Sequence, residues 1–361
     1  MGRRALIVPV TYLPKFNDLP QVRDGLHCTF VRVPFRAALA RVAETQVSCL
    51  APRGSRGGQD RAILLLPGVG LAEWAAHEHF RRSAPSEQDW AALEPVLRAL
   101  HRPGDAISIA PKWGEPLLRH QLGDAFFPLD ILARPDDDDI ERVILVSFLG
   151  QSTNEYWRWN AIESRSSGPF TITVYGNPHP ERPKLRLIER IRPPYLEVFD
   201  GPEGNPKPCA FLRNAPVLTG GLGGDPTFPR ERFVCGTGAP HFVAVTTIDD
   251  ERFRPRRCIW AHPTPNGPLT LVFHQVPIGQ RLVGHAGLPW LISRDGVGTP
   301  IEMTATVDGE RVGHHVVVDR DGFTRFEWST TALRERVADL EVRITTERDQ
   351  NRRLCFTLES R

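Results

Sequence analysis

Lysine is scarce in this chain: of 45 basic residues only Lys15, Lys112, Lys184 and Lys207 are lysine, and the rest are arginine. Against 43 acidic residues the formal net charge is +2, so the basic stripe of a dedicated nucleic-acid binder is missing and no nucleic-acid partner is expected. The arginine bias, with 33 prolines and 30 glycines, is the mark of a GC-rich bacterial coding sequence and implies no function by itself. No apolar run approaches the roughly 18–20 residues of a membrane helix, so no transmembrane segment is expected. The six cysteines contain no C-x-x-C pair, which disfavours zinc-ribbon and thioredoxin-like chemistry. Gly68 and Gly70 lack the third glycine of a dinucleotide fingerprint, and His77-Glu78-His79 lacks the spacing of H-E-x-x-H. Consecutive acids at Asp136–Asp139 and the turn Asp319-Arg320-Asp321-Gly322 raise the possibility of calcium. Neighbouring carboxylates do not all reach one ion, however, and the second turn lacks its closing acid. The expectation is therefore no metal and no cofactor, with calcium at one of these turns as the minor alternative.

What is present is texture. The 361 residues suffice for two domains, each with a core of its own. Residues 1–150 read as mixed α/β. Arg4–Val10 is strand-like, Pro34–Glu44 has helical spacing, and Ala62–Leu66 is a short buried-strand run. Gln88–Leu100 carries Trp90, Leu93, Leu97 and Leu100 on one helical face behind the capping residue Ser86, and Pro95 should kink or divide it. Strands Asp105–Ala110 and Arg142–Phe148 follow. Residues 151–239 form a proline-rich β region that extends the last domain or stands beside it. From 240 to 361, short β-branched and aromatic segments alternate with turns such as Asp308-Gly309 and Asp321-Gly322. Ile301, Met303, Ala305 and Val307 alternate with polar residues at period two. The expected fold class is an N-terminal α/β domain followed by an antiparallel, jelly-roll-like β-sandwich.

Six cysteines near strand ends permit three disulfides, Cys28–Cys49, Cys209–Cys235 and Cys258–Cys355, or six reduced, buried thiols. Pairing would favour an extracytoplasmic setting. Met1-Gly2-Arg3-Arg4 ahead of a short apolar stretch, interrupted by Pro9 and Pro14, does not decide the compartment. Trp90, Arg102-Pro103-Gly104-Asp105, Ala110-Pro111-Lys112-Trp113, Gly123-Asp124 and the strand Val143–Ser147 together resemble the soluble α/β domain that follows the membrane spans of bacterial lipid-linked-sugar glycosyltransferases. That resemblance implies an envelope setting. It does not carry catalysis, because the family's catalytic acids lie in spans this chain lacks. The final domain, with Arg254–Pro263, resembles an accessory β-sandwich module of the carbohydrate-binding kind.

The candidate residues follow from this layout. Trp260, His262, His285 and Trp290, placed in sandwich loops with Arg294 and Asp295 nearby, would stack on sugar rings and bond their hydroxyls. Trp113 and Arg119, in the loop after the Asp105 strand, would add a second ligand-facing surface. Were the chain an enzyme of the glycosyl-transfer or hydrolase kind, Asp105, Asp124 and His120 would be its acid–base groups. The expected function is a non-catalytic module of the cell envelope that binds glycan or a protein partner. An enzyme and a structural assembly subunit are the alternatives.

Overall fold

The structure is a computed structural model that describes residues 70–79, 84–217, 227–236, 240–264 and 267–361. Strand Arg4–Val10, helix Pro34–Glu44, the Ala62–Leu66 run, Gly68 and the Cys28–Cys49 pair lie outside the described residues. The chain divides into compact units 1–82 and 83–361. Helix α1 (70–79), in the first unit, carries His77-Glu78-His79. The remaining description concerns the second unit, in which mostly antiparallel sheets are accompanied by a few helices.

Helix α2 (Glu87–Leu100) starts in a capping box, Ser86 Oγ accepting from Asp89 N–H while the Asp89 carboxylate accepts from Ser86 N–H. It buries Trp90, Leu93, Leu97 and Leu100. Pro95 does not divide it. The proline sits on the exposed face, where water can take the carbonyl that its missing N–H leaves unpaired. Then come β1 (Ala106–Ala110), α3 (Glu115–Leu122), the single turn α4 (Leu129–Leu132) and β2 (Arg142–Ser147), with β1 and β2 parallel. β3 (Asn160–Ser167) and β4 (Phe170–Gly176) complete a sheet of order β1-β2-β4-β3. A division at 150 therefore falls inside a sheet, since β2 pairs with β4 from Arg142↔Gly176 to Ser147↔Thr171.

The strands that follow are β5 (Leu185–Arg186), β6 (Leu196–Asp200), β7 (Lys207–Pro208), β8 (Ala210–Leu212), β9 (Arg232–Val234), β10 (Phe242–Asp249), β11 (Pro255–Ala261), β12 (Leu269–Pro277) and β13 (Arg281–Gly287). After the short helix α5 (Trp290–Asp295) come β14 (Ile301–Val307), β15 (Glu310–Val317), β16 (Thr324–Ser329), β17 (Val337–Thr346) and β18 (Leu354–Ser360). They form one sheet of order β16-β13-β18-β11-β10-β9-β8, with β5 on β18, and another of order β15-β14-β17-β12-β6-β7. A single core joins the two sheets: Ile259, Leu282, Phe356 and Leu358 from the first meet Leu271, Met303, Val342 and Ile344 from the second. Each such side chain contributes about 1.5–3 kcal/mol on burial. The two sheets thus make a β-sandwich, and strands β5–β9 of the proline-rich region belong to it.

Disulfides Cys209–Cys235 and Cys258–Cys355 fasten β8 to β9 and β11 to β18, with Cα separations of 4.4 and 5.6 Å. β18 is buried on both faces. Leu354, Phe356 and Leu358 enter the sandwich core, whereas Glu359 meets the 136–139 loop of the smaller sheet through Arg361 and Arg186.

Candidate functional site

Where the smaller sheet meets the sandwich lies a cleft of about 730 Å³. It is lined by β1 at Ile107–Ile109, by Lys112, Glu155 and Tyr156, and by the β10–β11 loop, Arg252–Arg256. That loop is built around a buried carboxylate. Asp250 Oδ1 accepts from the N–H groups of Arg252 (2.8 Å) and Arg254 (3.0 Å), and Oδ2 accepts from Arg256 Nε (2.9 Å). Arg256 in turn donates to the carbonyls of Arg134 (2.8 Å) and Pro135 (3.0 Å), and Arg257 N–H to that of Ala133 (2.9 Å), which locks the loop to the smaller sheet. At its tip Phe253 adopts φ +56°, a left-handed conformation unusual outside glycine, and leaves 66% of its surface exposed. Its ring meets Trp290 at 4.9 Å, and the Arg294 guanidinium lies 5.1 Å over the Trp290 face.

Lys112, Glu155 and Tyr156 add a polar stretch to the lining. Glu155 accepts from Lys112 Nζ (3.0 Å) and Arg254 Nη2 (3.2 Å). Partial burial works against the Glu155 charge, but these two cations outweigh it and hold the carboxyl below its usual range. Burial pushes the Tyr156 phenol up to about 12, so it stays a neutral hydroxyl. Deeper in, burial raises Asp136 despite the neighbouring Arg361. The Asp136–Asp139 run is taken up in ion pairs. Asp136 and Asp138 bind Arg361, Asp138 also binds Arg325, Asp139 binds Arg186 and Asp137 binds Arg134. Asp319 is likewise taken up by Arg352 (3.0 Å) and by Gly298 N–H (2.8 Å). Both acidic turns thus serve guanidinium and amide donors.

The sequence-derived candidates are scattered. Trp260 is fully buried inside β11 and not in a loop. Because β11 alternates, Ile259 and Ala261 take the sandwich core while Cys258 and Trp260 point to the outer face, where Phe228 and Phe242 cover them. The Trp260 indole stacks on Phe242 at 5.6 Å and donates to Pro240 O. His285 is also a strand residue, buried in β13 against Phe323 and 3.6 Å from Asp136, and burial lowers its imidazole to about 4. His262 is buried beside His241. None of these three lines the cleft. Trp290, Arg294 and Asp295 lie on α5 beside the Phe253 tip, so this part of the expected set does come together.

Trp113 is half-exposed after β1, its edge on Phe148 at 5.1 Å, and its neighbour Lys112 is the residue that reaches the cleft. Arg119 and Asp124 pair with each other at 2.8 Å on the surface. Asp105 precedes β1, at the end opposite the Lys112 loop. It is buried, accepting from Arg102 N–H (2.9 Å) and facing Arg142 at 3.5 Å. Asp105, Asp124 and His120 line no part of the cleft. Sequence reasoning missed Asp250, Phe253, Glu155 and Tyr156. The usable signal was a lone phenylalanine inside the charged turn Asp249-Asp250-Glu251-Arg252-Phe253-Arg254, between two strands.

No family model and no curated protein matches the chain. Among solved structures, it is similar to CBM51-2 in complex with GlcNAc and INT domains from Clostridium perfringens ZmpB, at 10% identity and a TM-score of 0.26. That alignment covers 46% of this chain and 37% of the other. It is also similar to a structure of the ZmpB M60 catalytic domain with CBM51-1 and CBM51-2, at 9% identity and a TM-score of 0.26, over 56% of this chain and 19% of that one. The chain thus spans well under half of either neighbour, and likeness at this level assigns neither fold family nor function.

Proposed function

We propose that the chain is a non-catalytic glycan-binding module, acting outside the cytoplasm, whose ligand lies along the cleft and across the Phe253–Trp290 pair. The observation that carries this reading is the β10–β11 loop. A buried aspartate, two backbone amides and Arg256 fix a left-handed turn whose product is a phenylalanine held in solvent. A strained, rigid loop that exposes an aromatic ring is a device for contact with something else. Aromatic faces suit the apolar face of a pyranose, and Lys112, Arg254 and Glu155 supply donors and acceptors for hydroxyls. The two disulfides support an oxidising compartment.

The test is a glycan array probed with the full chain, followed by titration of the best ligand. Phe253→Ala should weaken binding at least about tenfold, as loss of a central aromatic anchor does. Unchanged binding in that variant would remove the site. An enzyme is the second reading, favoured by one observation: Asp136 and Glu155 line the same cleft, with the first carboxyl raised and the second lowered. Environments that separate two carboxyls in this way suit acid–base work. Turnover of the bound glycan, lost in Asp136→Asn, would favour this reading over the binding module.

A further inference from the structure

The register of the larger sheet brings three potential metal ligands to one end of adjacent strands. Val243 pairs with Ala261, and Ala261 with Leu354. His241 just before β10, His262 just after β11 and Asp349 ahead of β18 therefore share the same edge of the sandwich. One nitrogen from each imidazole and one Asp349 oxygen lie within 4.8 Å of one another. The rings are 4.8 Å apart, and His241 Nε2 is 3.6 Å from Asp349 Oδ2. The backbone makes room for this arrangement. Cys235 N–H donates to His241 O at 3.0 Å, and a Cβ at Gly236 would sit 2.9 Å from His241 Nδ1.

A second observation is independent of that clustering. His262 is only 4% exposed, and its Nδ1 is buried with no hydrogen-bond partner among the described residues. Orphaning such an atom costs about 1–3 kcal/mol, so natural folds seldom leave it without a role.

The geometry points to a divalent transition-metal site, held by His241, His262 and Asp349 and suited to zinc. Two imidazoles and one carboxylate match zinc, whose three-ligand sites leave a fourth position for water or a ligand. The same donors do not suit calcium, which takes six to eight oxygens. A tetrahedral zinc with bonds of about 2.0–2.1 Å places its ligand atoms about 3.3 Å apart, so the present spacing closes by side-chain rotation. The nearby cations work against a dication. Asp319 takes the charge of Arg352 at 3.0 Å, and imidazole–metal bonding must exceed the electrostatic cost that remains.

The experiment is calorimetric titration of the chelator-stripped full chain with zinc and with calcium, alongside cobalt as a spectroscopic probe. The expected result is one zinc bound through this site, no calcium, and the visible bands of tetrahedral cobalt displaced by zinc. Asp349→Asn, at a partly exposed turn and so the gentler variant, should weaken zinc binding by at least the roughly 10–100-fold that loss of an outer-shell partner costs. His262→Gln should remove the cobalt bands. Zinc binding unaltered in Asp349→Asn and His241→Ala, a hydrated octahedral cobalt spectrum, or no zinc binding would each overturn the assignment.

Discussion

At the scale of single residues, Phe253 and Asp250 have opposite jobs in one loop. Phe253 is solvent-facing, so Phe253→Ala should change stability by no more than about 0.5 kcal/mol while weakening glycan binding at least about tenfold. Asp250 is buried and neutralises Arg256. Asp250→Ala leaves a half-buried guanidinium without its partner and should cost about 3–5 kcal/mol in chemical denaturation. His285 supplies a pH signature. Its folded pKa, about 4, lies below the ordinary histidine value of 6.5, chiefly through burial, with Arg325, Arg256 and Arg361 adding to the effect. Between those values the unfolded chain binds the extra proton. Stability should therefore be fully present above about pH 6.5 and fall as pH drops towards 4, by a few kcal/mol at most. Asp136, raised by burial, works with the opposite sign at the acid end of that window. The difference between wild type and His285→Gln in melting temperature from pH 7 to 4.5 isolates the histidine. A variant that loses as much stability as wild type would contradict this account.

At the scale of elements, legibility followed the strength of the local pattern. β14, with Ile301, Met303, Ala305 and Val307 alternating inward, was readable to the residue, and so was the capped face of α2. β3 was not, because Asn160–Ser167 is a polar strand with almost every side chain in solvent and no alternation to read. β13 hid for another reason. Gly284 and Gly287 lower its apparent strand propensity, yet Gly284 is required: a Cβ there would meet the Phe326 ring at 2.3 Å and Thr357 O at 2.7 Å. Gly284→Ala should thus cost about 1–3 kcal/mol by overpacking, read as a lowered denaturation midpoint. Spacing offered the Cys209–Cys235 and Cys258–Cys355 pairs found here but equally allowed reduced thiols, and the cleft was not legible at all. It needs the β10–β11 loop to meet residues about a hundred positions away, as in the Arg254–Glu155 pair, and no local pattern encodes such a meeting.

At the scale of the whole second unit, charge holds the smaller sheet on the sandwich. Arg361, its side chain 1% exposed, donates to Asp138 (2.8 Å) and Glu359 (2.6 Å) and faces Asp136 at 3.5 Å. Arg361→Ala would strip partly buried Asp136 of its arginine partner and leave Glu359 to Arg186 alone, and the expected loss is about 3–5 kcal/mol, with the cleft opening as the two sheets part. The central claim is that ligand is held between them. Hydrogen–deuterium exchange of the full chain, with and without the best array glycan, tests it most directly. The account predicts slower exchange at 250–256 and 153–157, with the outer strands β14 and β15 unchanged. Protection confined to other loops of the sandwich, with 250–256 unaffected by saturating ligand, would contradict it.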